Sequence, residues 1–288
     1  MMEKIKILLE LAKIRITLFV MITTFFGYIS FSGALSWHML YPLIGILFLA
    51  CGSAAINHIQ ERNTDALMSR TKKRPIPSGK ISLKNAILFT GILLILGAVI
   101  LFLSSGLIPL LLGLLNLIWY NIIYTPLKKK SPVAIIPGSL VGAIPPMVGW
   151  TAAGGALLDP QNLILAFFFF IWQIPHFWLL LLVLDKDYEK AGFPVLTKLF
   201  SHEQLSRITF IWMFATVVTS FMFPLFHLIK YDIVVYAVLL SGVWLTYNAS
   251  HLLKKNAESR YFSFAFKDIN IFALLIVVLL SLDKLIIF

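Results

Sequence analysis

Cysteine is almost missing from this chain. Cys51 is its one thiol, which excludes an intrachain disulfide and any metal centre built on cysteine ligands. A lone cysteine in an apolar run reads as a small buried packing residue. Charge is scarce as well: Asp, Glu, Lys and Arg make up 13% of the 288 residues, against about a quarter in soluble domains. No cleavable leader is expected either. The start, MMEKIKILLELAKIRITLFVMITTFFGYISF, passes from basic residues into a long apolar run with no short hydrophobic stretch closed by a small-residue cleavage site. What fills the chain is apolar, at 59% of residues and a mean hydropathy of +0.90. The expectation is an all-α integral membrane protein, one helical domain over 1–288.

Apolar runs predict nine spans, at about 16–33, 39–57, 85–104, 107–125, 133–153, 162–184, 207–228, 232–252 and 269–287. Each has the ~20 residues that cross a bilayer core. The bases are distributed unevenly between the connections. All Lys and Arg except Lys230 and Lys284 fall at the N-terminus or in every second connection. The positive-inside rule therefore predicts a cytoplasmic N-terminus (1–15), cytoplasmic connections including 58–84 and 185–206, and a C-terminus outside. The net charge of +11 is accounted for by these loops, without nucleic acid. All the acids except Asp159, Asp232 and Asp283 lie on the same side as the bases, so polar chemistry is expected to open there.

One stretch concentrates that polarity: NHIQERNTDALMSRTKKRP, residues 57–75. Asn57, Glu61 and Asp65 follow each other at intervals of four, and on a helix each such step turns about 40°, so the three share one face. Ionised carboxylates at this spacing repel, and a divalent cation converts the repulsion into a shared site. Hard oxygen ligands in small number suit Mg²⁺, which keeps waters and is completed by substrate phosphates. Arg70, Lys73 and Arg74 follow at once and could hold anionic oxygens. The pattern reads as a site for a metal-bound diphosphate. For the bases alone, a solvated loop obeying the positive-inside rule explains as much.

This stretch resembles the aspartate-rich N-x-x-x-D-x-x-x-D motif of the UbiA superfamily of membrane prenyltransferases. It looks most like the protohaem IX farnesyltransferase branch, in which the motif continues as M-x-R-T-x-x-R-P, here Met68, Arg70, Thr71, Arg74 and Pro75. Glu61 stands where the family usually has Asp, and Asn63 where the branch often has another Asp.

Other segments resemble the branch in the same order along the chain. The fourth span ends NLIWYNIIYTPLKKKSP, where Asn121, Tyr124 and Lys128 are candidate diphosphate contacts; an interfacial aromatic with snorkelling lysines is the plainer alternative. The fifth contains GAIPPMVGW, whose prolines and glycines either shape a cavity or serve packing. The sixth contains WQIPHFW, the segment most particular to the branch. There His176 is either an axial ligand for haem iron or a histidine hydrogen-bonded inside the bundle, and Trp172, Phe177 and Trp178 are flat surfaces for a porphyrin. Beyond it, DKDYEKAG supplies Asp187 and Asp185 as a thin second acidic set for metal. LAKIRITLF resembles the family's L-T-K-P-R, with Ile14 in place of proline, and offers Arg15 to the pocket.

The resemblance implies a nine-helix bundle of the UbiA type in a bacterial inner membrane. It also implies farnesyl diphosphate and protohaem IX (haem B) as substrates, Mg²⁺ as the divalent cation, and hand-off of the product to a haem A synthase or to terminal oxidase assembly. Rival readings are prenyl transfer to a quinone precursor or chlorophyllide, a transporter, and a haem-binding assembly factor without catalysis. The clustering of polar groups on one face argues against the transporter.

Overall fold

A segment that spans lipid must satisfy its own backbone hydrogen bonds, so a chain of this composition is driven to helices. The computed structural model describes residues 2–254 and 259–286, and among them there is no strand. A short helix, α1 (Met2–Leu11), precedes nine helical spans among these residues that are long and apolar enough to cross a membrane. Their main segments are α2 (Ile14–Ser32), α3 (Leu40–Asp65), α4 (Leu83–Ser105), α5 (Leu107–Ile118), α6 (Leu140–Ala152), α7 (Pro160–Val183), α8 (His202–Ser220), α9 (Asp232–Ser250) and α10 (Ser259–Leu285). Part of the connection before α10, residues 255–258, lies outside the described residues, as do Met1 and 287–288.

Consecutive helices pack side by side, and α10 returns to lie against α7 and α2, which closes the bundle. The larger apolar core sits among α7, α8, α9 and α10, around Phe168, Phe169, Phe223 and Phe272. A smaller one joins Ile46 and Leu49 of α3 to Leu101, Leu112, Ile144 and Val148. Apolar side chains on the outer surface, such as Ile95, Leu103, Ile211 and Leu240, stay exposed, as lipid-facing positions should. α6 lies unusually close to α2: a Cβ on Gly149 would stand 1.8 Å from the Thr24 carbonyl oxygen, so this contact requires glycine.

Four features depart from uniform spans. α3 does not end at 57 but stays helical through Asp65, because ion pairs described below cover its polar turns. The segment expected as a loop from 58 therefore begins as helix. The last span starts near Tyr261 and carries Lys267 and Asp268 within it. α5 passes into a π-helical turn, Trp119–Tyr124, before a final turn, Thr125–Leu127. The fifth span is broken at Ser139, with Ile135–Gly138 before the break and α6 after it.

At the end of the bundle remote from Asp65, two carboxylates are occupied by their own chain. Asp283 is 1% exposed and accepts the backbone N–H groups of Lys230 and Tyr231 at 2.8–3.0 Å, just ahead of α9. Asp159 accepts from Trp150 Nε1 at 2.9 Å and from the Ala156 amide at 2.8 Å. These are structural acceptors, consistent with chemistry at the other end.

Candidate active site

At the last two turns of α3, Asn57, Glu61 and Asp65 line one face and all three are buried. A carboxylate so placed is costly unless it is paired, and each has its own cation. Arg74 Nη1 donates to both oxygens of Asp65 at 2.7 Å. Lys128 Nζ stands 2.7 Å from Glu61 Oε1. The chain reaches back for the first pair through the turns that follow α3. Thr71 is buried and donates its hydroxyl to the Asp65 carbonyl at 2.8 Å, and Met68 and Pro75 are buried beneath the loop. Lys128 arrives from the end of the fourth span. Burial disfavours its charge, but Glu61 together with Tyr124 and the neighbouring tyrosines outweighs that and raises its ammonium above the ordinary lysine range.

A third cation, Lys13, enters the same cluster, and its role was not anticipated in the sequence. It joins α1 to α2 in the left-handed conformation, with φ 48°, a geometry costing a non-glycine residue about 1 kcal/mol or more. Its Nζ donates to Asn57 Oδ1 at 2.6 Å. Burial, then Arg74 and Lys128, pull its ammonium down to about 7, while Glu61 and Asp65 act the other way. Arg15, the residue offered to the pocket, is exposed instead. The bend at Lys13 sends the two basic side chains to different sides. The available signal was the lysine of L-T-K-P-R itself. With Lys13 protonated, Lys13, Arg74 and Lys128 against Glu61 and Asp65 give the cluster one net positive charge, suited to an anion.

The other sequence candidates are placed as follows. Asp187 accepts from the Ser69 hydroxyl and, at 3.3 Å, from the Arg70 amide. The second acidic segment thus docks on the loop that follows the first. The Ser69 hydroxyl, with a smaller part from the Arg70 amide, holds its carboxyl below the usual range. Asp185 turns away and accepts from Thr197 Oγ1 at 2.7 Å. The side chains of Arg70 and Lys73 are exposed. Asn121 is buried one turn deeper than Asn57 and donates to Ser53 Oγ at 2.6 Å; Asn57 Nδ2 itself donates to Thr125 Oγ1 at 3.3 Å. His58 is fully buried, and neither ring nitrogen has a hydrogen-bond partner among the described residues.

An aromatic wall continues from the charges toward α7. The Lys128 ammonium lies 5.6 Å from the Tyr124 ring centre, and Tyr124 stacks on Phe177 at 5.9 Å with the planes 3° apart. Phe177 neighbours His176 at 5.6 Å. The π-helical turn sets where Tyr124 emerges, a feature often found at functional sites. Gly138 makes room for it: a Cβ there would lie 2.4 Å from Tyr124 Cδ2. Trp172 anchors to α10 by donating Nε1 to the Ile269 carbonyl at 3.1 Å, with its ring 4.9 Å from His176. Trp178 does not join this wall. It is buried in the core against Phe200, because an α-helix carries residues 176 and 178 to different faces.

Glu61 and Asp65, with Asn57 between Lys13 and Thr125, supply the hard oxygen donors that suit Mg²⁺. Among the described residues no three His, Cys, Asp or Glu side chains converge on one point. A metal here would therefore draw on few protein ligands and on substrate oxygens. An anion that recruits the three cations would release both carboxylates for it.

Comparison with known proteins identifies the family. Residues 19–275 match the UbiA prenyltransferase family. The chain is 36% identical over 242 residues to a protoheme IX farnesyltransferase of Nitratidesulfovibrio vulgaris, covering 84% of each chain. It is 32% identical over 278 residues to that of Oleidesulfovibrio alaskensis, covering 96% of each. A Geobacter sulfurreducens relative of the same name is 42% identical over 161 residues, 54% of this chain and 57% of that one. Among solved structures, a digeranylgeranylglyceryl phosphate synthase shares the fold with a TM-score of 0.80 at 20% identity, over 98% of this chain and 99% of that one. A UbiA homologue from Archaeoglobus fulgidus bound to GPP and Mg²⁺ does so with 0.65 at 16%, over 96% and 99%. The chain belongs to the UbiA prenyltransferase family, and relatives that match it over most of their length, those of Nitratidesulfovibrio vulgaris and Oleidesulfovibrio alaskensis, are protoheme IX farnesyltransferases.

Proposed function

We propose that this protein transfers the farnesyl group of farnesyl diphosphate to a vinyl group of protohaem IX, with addition of water, giving haem O and diphosphate. The observation that carries it is the continuous path from the paired charges at Glu61 and Asp65, through Lys128, Tyr124 and Phe177, to His176. That path supports the reading, since a cationic end suited to an anion lies beside an aromatic, histidine-bearing end, as joining a diphosphate donor to a porphyrin requires.

Lys13, Arg74 and Lys128 bind the diphosphate oxygens; Arg74 and Lys128 give up the carboxylates, and Lys13 the Asn57 amide oxygen, that they hold in its absence. Glu61 and Asp65 would then hold Mg²⁺, which when bound supplies charge neutralisation of the leaving group, and Asp187 on the docked loop would contribute to a second such ion. The C1–O bond of the farnesyl chain breaks, and the diphosphate leaves with the electron pair into this cation cluster. The vinyl π electrons attack the allylic carbon. The new cation beside the porphyrin takes the oxygen of a water molecule, which loses a proton. Tyr124 and Phe177 wall the allylic cation from bulk water and stabilise it through their faces. His176 ligates the haem iron and fixes which edge of the porphyrin meets the farnesyl carbon.

The same reading sets the N-terminus in the cytoplasm and the C-terminus outside, in a bacterial inner membrane, where the product is available to a haem A synthase or to oxidase assembly. The test is incubation of the detergent-purified protein with farnesyl diphosphate, protohaem IX and Mg²⁺, followed by mass spectrometry. The expected product has the mass of haem plus a farnesyl group plus a hydroxyl group. Prenylation of a quinone precursor or chlorophyllide in its place, or no transfer at all, overturns the reading.

A further inference from the structure

The last helix carries a residue that fixes the chemistry of His176. Asn270 of α10 lies with Oδ1 2.7 Å from His176 Nδ1. Its amide nitrogen is already committed, since Nδ2 donates to the Phe266 carbonyl one turn back in the same helix. A carbonyl only accepts, so Nδ2 must face Phe266 and Oδ1 must face the histidine. Oδ1 is an acceptor as well, so the hydrogen of a neutral imidazole has to sit on Nδ1. The lone pair is then left on Nε2. The ring is also held in position: its centre lies 4.9 Å from Trp172 and 5.2 Å from Phe266, at 35° and 36° to their planes. Trp172 is tied by Nε1 to the carbonyl of Ile269, the residue before Asn270. One turn of α10 thus sets both the orientation and the tautomer of His176.

We propose that Asn270 is a positioning residue which presents His176 Nε2, unprotonated, to the iron of the porphyrin substrate. This rests on the reading of His176 as the iron ligand and goes beyond it, by assigning the ligating atom and the group that selects it. A metal-bound histidine commonly gives its other N–H to a fixed acceptor, and removing such an acceptor lowers metal affinity by about 10- to 100-fold.

The test titrates protohaem into full-length, detergent-purified protein and reads the ultraviolet–visible and electron paramagnetic resonance signature of the iron, its dissociation constant and the protein's melting temperature. Asn270→Leu is expected to fold, to bind haem about 10- to 100-fold more weakly and to lose the single histidine-ligated signature. Asn270→Asp keeps an acceptor and is expected to retain histidine ligation, with a lower haem reduction potential because a carboxylate makes the imidazole a stronger donor. A folded Asn270→Leu protein with unchanged signature and affinity overturns the inference. Should that variant fail to fold, an unshifted potential in Asn270→Asp overturns it equally. His176→Ala separates the two claims. If haem binds it with an unchanged signature, the iron-ligand reading fails; if the signature is lost there yet intact in Asn270→Leu, only the role of Asn270 fails.

Discussion

Lys128 Nζ rests 2.7 Å from Glu61 Oε1, so the cation proposed to bind diphosphate and the acid proposed to hold the metal begin as partners of each other. The same holds for Arg74 and Asp65. On the proposed mechanism, substrate binding at this site is an exchange of ionic partners inside a buried cluster.

Removing one partner therefore has two effects. Lys128→Ala should lower turnover by about 10²- to 10³-fold, as loss of a donor to a leaving group does. It should also destabilise the fold, because Glu61 is left as an unpaired buried carboxylate. Lys128→Arg should recover more of the melting temperature than of the rate. Turnover and melting measured on both variants check this; wild-type kinetics in Lys128→Ala would remove the residue from the site.

For the acids, Glu61→Gln and Asp65→Asn keep shape and remove charge. Each should abolish prenyl transfer while leaving membrane insertion intact, read as product mass and as protein in the membrane fraction. Full activity in either variant with Mg²⁺ supplied argues against its role at the metal.

Lys13 gives a pH dependence with a definite sign. Its folded value of about 7 lies below that of an exposed lysine, so between these values the unfolded chain holds the extra proton. By linkage, this group's contribution to stability rises as pH increases from about 7 toward the ordinary lysine range. An arriving diphosphate restores the charge, so binding above pH 7 should take up a proton and KM should rise with pH. Lys13→Met should bind more weakly and flatten that profile. An equally steep profile in the variant would show that another group is responsible.

Gly138 tests the aromatic wall. Gly138→Ala places a Cβ where the Tyr124 ring now lies, so the ring must move off Phe177. Turnover should fall toward that of Tyr124→Ala, with diphosphate affinity changed less. Unchanged turnover would mean that the stack is not used.

Asp283 is the control at the far end. Asp283→Ala removes an acceptor of two backbone N–H groups ahead of α9 and should cost about 2 kcal/mol, within the range for hydrogen bonds to a charged group. Turnover per folded molecule should stay the same. Thermal unfolding and active-site-normalised rates separate the two.

What could be read from the chain alone follows from short-range rules. Apolar runs of bilayer length specify nine spans, and spacing by fours puts Asn57, Glu61 and Asp65 on one face whatever surrounds them. The WQIPHFW segment likewise carries its own likeness to haem-modifying relatives. Partners from distant parts of the chain obey no such rule. That Lys13, not Arg15, enters the cluster depends on a left-handed bend. That Tyr124 emerges toward Phe177 depends on a π-helical turn and on the space at Gly138. That Asp187 docks on Ser69 and Arg70 while Asp185 turns to Thr197 depends on how one loop lies over another. Asn270 meets His176 only because α10 returns against α7. Helix periodicity is local and repeats in the sequence, whereas ion pairs and hydrogen bonds between helices exist only once the bundle has closed.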